Sequence, residues 1–138
     1  MSEDIEILPE HRGFAFSVTK CFQEHDEPYT EQLRYEMTRG LWKNIPADMV
    51  NVFAYAIFEG TCIEVYQIKQ WSKADPNQYK IRRNFPENIA NRWQFKGEVA
   101  PDEVRNKYKD QRIVRMYSPW RYVPISGLTT EIPKALDP

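Results

Sequence analysis

Residues 52–68 read VFAYAIFEGTCIEVYQI, two runs rich in aromatic and β-branched side chains on either side of Glu59-Gly60. Such runs around a two-residue turn ending in glycine predict a β-hairpin, with Gly60 supplying the positive φ. The first run is apolar on both faces, as a central strand requires. The second alternates, with Ile63, Val65 and Gln67 on one side and Cys62, Glu64, Tyr66 and Ile68 on the other. Trp71 closes the hairpin.

Upstream, residues 13–22 (GFAFSVTKCF) predict a first strand. Thr30 can cap a helix in which Leu33, Met37 and Leu41 form one apolar stripe, and the residues before Pro46 end it. A helical turn over 46–51 follows. Downstream, residues 72–91 hold Pro76 and Pro86 and read as a long connection with one helical turn at 86–90. Residues 92–96 alternate as a strand, and 101–109 predict a helix with Val104 and Tyr108 on one face and acids in its first turn. Residues 112–117 (RIVRMY) predict a last strand, and the prolines of SPWRYVPI suit an extended edge segment. These elements define an α+β domain: a small curved antiparallel sheet or partly open β-barrel of about five or six strands with two packed helices.

With 138 residues and 41% hydrophobic side chains, the chain is long enough for one domain, residues 1–125, followed by a loose tail over 126–138. No run approaches the roughly 20 apolar residues of a membrane span, and the acidic start MSEDIEILPE does not resemble a secretory leader, so a cytoplasmic protein is expected. The net charge of −1 conceals an asymmetry. Residues 1–36 hold nine acids and three bases, a charge of −6, whereas residues 69–121 hold thirteen bases and six acids, a charge of +7. Such a division suits a surface facing a polyanion, or an acidic arm over a basic face.

Catalytic and metal signatures are thin. The inventory is His11, His25, Cys21 and Cys62; Cys21 and His25, four apart, lack enough partners for a zinc site, a Cys/His nucleophile pair stays open, Cys62 in a strand reads as a small buried residue, and no P-loop, dinucleotide or nucleophile-elbow motif occurs. No cofactor is expected. RGFAFSVT (12–19) matches five positions of the RNA-recognition octamer, but too few residues precede it for that domain, so Phe14 and Phe16 read as core. What remains is aromatic residues interleaved with bases: Trp71, Trp93 and Trp120 for stacking bases, and Arg82, Arg83, Arg92, Arg115 and Arg121 for phosphates.

The blocks TRGLWKN (38–44), VFAYAIFEG (52–60), IEVYQIKQW (63–71), RWQFKGEVA (92–100) and RNKYKDQRIVRMYSPWRYV (105–123) resemble those shared by a group of small uncharacterised prokaryotic and phage proteins. Trp120 departs from that pattern, and the resemblance carries no activity. In order of elements the chain is similar to PUA-like small barrels, including ASCH and EVE domains, which implies a cleft that binds RNA or modified DNA bases.

The leading expectation is a nucleic-acid-binding module for RNA or for modified or single-stranded DNA, bound through a basic, aromatic-lined cleft and weakening steeply with salt. The alternative is a protein-interaction or regulatory protein, a homodimer without enzymatic activity. A third is a small enzyme using Glu64, Glu98 or Tyr66 as acid or base.

Overall fold

The computed structural model describes residues 5–19, 30–82, 85, 88–113 and 118–124. Its elements are β1 (Gly13–Ser17), α1 (Glu31–Arg39), β2 (Gly40–Trp42), β3 (Phe53–Phe58), β4 (Thr61–Lys73), β5 (Trp93–Val99), α2 (Asp102–Tyr108) and β6 (Trp120–Val123). The six strands form one curled, mixed sheet, a half-barrel in the order β2-β5-β4-β3-β1-β6, with the two helices packed against it. One pair, β1 with β3, is parallel, so the sheet is mixed where the sequence predicts an antiparallel one. Nothing local encodes this. β1 is separated from β3 by a helix, and such a crossover permits parallel pairing.

The hairpin forms as its sequence requires. β3 is buried along nearly its whole length, and both turn residues have positive φ, Glu59 at 51° and Gly60 at 87°. Gly60→Ala puts a Cβ into that left-handed conformation, and a loss of about 1 kcal/mol, a fall in Tm of a few degrees, is expected in a thermal melt. β4 runs five residues past Ile68 to Lys73, because β5 pairs with it there: Trp71 lies opposite Phe95 and Lys73 opposite Trp93.

α1 starts as expected, with Thr30 Oγ1 accepting from the Leu33 amide at 3.2 Å. It stops early, at Arg39, and Leu41 belongs to β2 instead of the helical stripe. Pairing of Gly40 with Gln94 and of Trp42 with Trp93 takes these residues into the sheet. A Cβ at position 40 would run into the Tyr79 hydroxyl, so any other residue there requires that side chain to shift. Residues 101–109 form α2 largely as predicted, with Val104 and Tyr108 buried. The turn predicted over 86–90 is a short 3-10 turn at Ile89–Asn91. Of the strand predicted over 112–117, Arg112 forms a bridge to Thr61, while 114–117 lie outside the described residues, as do 20–29 and the tail over 126–138. Edge strand β6 occupies the SPWRYVPI segment.

Strand alternation sorts the core onto two faces. Ala15, Phe53, Tyr55, Ile57 and Val65 face α2 through Val104 and Tyr108. Phe14, Phe16, Ala54, Tyr66, Ile68 and Phe95 form the other face together with Trp42 of β2. α1 covers one end of that second face, where Leu33 and Met37 pack with Val18 and Ala56. Among the described residues no helix is long and apolar enough to cross a membrane.

Candidate functional site

The second face is an aromatic layer. Phe14 and Phe16, two apart on β1, point the same way. Trp42 stacks on Phe16 with centroids 4.6 Å apart and planes at 22°. Phe14 meets Trp71 edge-on at 6.0 Å, Trp120 edge-on at 5.5 Å and Tyr122 at 5.4 Å. Phe95 meets Trp71 at 5.5 Å. Three tryptophans far apart in sequence therefore converge, Trp71 from β4, Trp93 from β5 and Trp120 from β6, each half-buried against the same cluster. The register delivers them, with Trp120 opposite Phe16 and Trp71 opposite Phe95.

Their indole N–H groups are not equivalent. Trp42 donates to the Thr38 carbonyl at 2.9 Å, Trp71 to that of Met49 at 2.9 Å and Trp120 to that of Lys43 at 3.0 Å. The last two bonds hold the loop between β2 and β3 against the layer. Among the described residues the Trp93 indole N–H has no protein partner, and the Lys73 ammonium lies 4.4 Å from the centroid of its ring.

The arginines occupy different ground. Arg82, only 9% exposed, donates from Nη1 to the Gly40 carbonyl at 2.6 Å, and Arg92 donates from Nη1 to the Leu41 carbonyl at 2.9 Å. β2 is an edge strand, and these two side chains bond the carbonyls of its first two residues. Arg82 and Arg92, expected on phosphates, thus hold the sheet edge. Arg121 is half-exposed but lies opposite Ala15, on the face away from the tryptophans. Arg83 and Arg115 lie outside the described residues. Among the described residues, Lys73 places its ammonium on the Trp93 ring, and exposed Lys43 adjoins the layer through its backbone carbonyl, which receives the Trp120 indole N–H.

Two buried charged residues escaped the sequence reading. Glu36 is fully buried. Its Oε1 accepts from the Ile81 amide at 2.8 Å and the Arg82 amide at 2.7 Å, and its Oε2 from the Lys80 amide at 2.7 Å and Gln32 Nε2 at 2.6 Å. Burial alone pushes this carboxyl's pKa up; the bonds from Arg82, Gln32, Lys80 and Ile81 outweigh it and hold the pKa below its ordinary value. Arg39 donates from Nε to the Phe95 carbonyl at 2.9 Å and from Nη2 to Gln78 Oε1 at 3.0 Å, with its guanidinium over the Tyr35 and Tyr79 rings. One signal was available: Glu36 lies between Leu33 and Met37 on the apolar face of α1, where a lone carboxylate needs buried donors.

Two of the three acid/base candidates, Glu64 and Tyr66, are engaged or held neutral. Glu64 accepts from Arg105 Nε at 2.7 Å and Nη2 at 3.2 Å. Burial pushes the Tyr66 hydroxyl upward and keeps it neutral. Glu98 is exposed. Burial likewise pushes the Cys62 thiol up to about 12, which removes the thiolate that nucleophilic chemistry requires. Among the described residues no three His, Cys, Asp or Glu side chains are grouped to hold a metal, and Cys21 and His25 lie outside them.

Fold and site together define a small α+β half-barrel with a tryptophan-rich face. No protein-family model matches the chain, and neither a curated protein nor a solved structure matches it.

Proposed function

We propose that this protein binds single-stranded nucleic acid, RNA or DNA, by stacking bases on its aromatic face. The observation that carries this reading is the convergence of half-buried Trp71, Trp93 and Trp120 on one layer, with the Lys73 ammonium 4.4 Å from the centroid of the Trp93 ring. Stacking suits such a surface because every base has a π face, and it contributes about 1–3 kcal/mol per base. The fixed indoles of Trp71 and Trp120 lower the ordering entropy on binding.

Electrostatics play a smaller part than the run of thirteen bases over 69–121 implies. Among the described residues we assign phosphate contacts to Lys73, on the Trp93 ring, and to exposed Lys43, so log K is expected to fall with log salt at a slope of about −1.4, the value for two phosphate contacts on a single strand. Titration of the protein with oligothymidylate and oligouridylate at rising salt, followed by tryptophan fluorescence, tests this. Saturable quenching with that shallow slope supports the reading. Absence of quenching by both oligonucleotides at low salt refutes it.

A further inference from the structure

We infer that Trp93 is the ligand-facing tryptophan and that Lys73 is its built-in placeholder, covering the ring in the free protein and moving to a phosphate when a base takes its place. The ligand class that follows is a planar base carrying a phosphate, in preference to a free base or nucleoside. This rests on the nucleic-acid reading above.

Three observations converge on it. Trp42, Trp71 and Trp120 commit their indole N–H groups to backbone carbonyls, whereas that of Trp93 has no protein partner among the described residues. A polar ring edge left to solvent on a half-buried ring suits a ligand contact, while the three bonded indoles serve as scaffold. Next, the Lys73 ammonium sits 4.4 Å from the Trp93 centroid, and among the described residues it has no hydrogen bond or ion pair to hold it there. A cation held only by a ring quadrupole at an exposed position is weakly held. Finally, Lys73 and Trp93 stand directly opposite each other across the β4–β5 ladder. The backbone therefore fixes the distance between their Cα atoms, and the four-carbon stem of Lys73 lets its ammonium leave the ring without any movement of the sheet.

The exchange has a consequence of opposite sign for two kinds of ligand. A neutral nucleoside must displace the ammonium and offers it nothing in return. A nucleotide in a strand displaces it and receives it on a phosphate. Removing the ammonium should therefore help the first and harm the second.

Lys73→Met tests this, since it keeps an unbranched stem at an exposed position. In the free protein, quenching of tryptophan by neutral acrylamide is expected to rise with Lys73→Met, and not to rise when Trp93→Phe is also present. Thymidine is expected to bind Lys73→Met about 3-fold more tightly than the parent, while oligothymidylate binds it more weakly, with a salt slope shallower by about 0.7. If acrylamide quenching is unchanged, or if both ligands shift in the same direction, the placeholder role is overturned while nucleic-acid binding stands. If the parent protein binds no oligonucleotide, the nucleic-acid reading fails, and this inference fails with it.

Discussion

Phe14→Ala is expected to lower the melting temperature by roughly 12 °C, the equivalent of about 4 kcal/mol for removing a fully buried phenyl ring. Phe14 is inaccessible to solvent and touches Phe16, Trp71, Trp120 and Tyr122, so its removal opens a cavity lined by rings that the rigid strands cannot bring together. Near-UV circular dichroism should weaken as well, because Trp71 and Trp120 lose the edge they pack against. Phe14→Leu refills most of the volume and should recover more than half of the loss. A melting temperature for Phe14→Ala within about 3 °C of the parent would contradict the central place given to this ring.

Glu36→Gln is the second large effect, a loss of about 3 kcal/mol at pH near 7. The amide keeps one acceptor oxygen but turns an NH2 group toward backbone N–H donors, so at least one of the Lys80, Ile81 and Arg82 amides is left unsatisfied in a buried site. The pH dependence has a definite sign. The folded pKa of Glu36 lies below its ordinary value of 4.5, so its contribution is complete above the unfolded value and disappears as pH falls through the folded one. Melting curves of the parent should therefore decline below about pH 4.5 and approach those of Glu36→Gln, whose own acid limb is flatter. A gap between the two proteins that stays constant from about pH 7 to 3 would show that the carboxylate charge does not anchor residues 80–82.

Both effects bear on how far the sequence could be read. The hairpin and the burial of Phe14 and Phe16 were legible because period-two alternation and turn chemistry are local properties. α2 was legible for a similar reason, the shared face of Val104 and Tyr108. The end of α1 was not. Leu41 continues the helical spacing of Leu33 and Met37, and only the pairing of Gly40 with Gln94, from a strand some 50 residues away, takes it into the sheet. The tryptophans were identified by type, and their convergence depends on register across β4, β5, β1 and β6. Arg82 and Arg92 bond the Gly40 and Leu41 carbonyls, which sequence does not show because a guanidinium serves a backbone carbonyl as readily as a phosphate.

The position of β1 also bears on how the molecule assembles. β3 and β4 are joined by a two-residue turn and can meet early, since little loop entropy opposes them. β1 then docks beside β3, and only its far edge gives β6 a partner. Among the described residues, the last strand of the chain is thus seated on the first, a pairing that closes a loop of about 100 residues. A chain that lost residues 13–17 would lose the seat for 120–123 along with them, so two of its six strands stand or fall together.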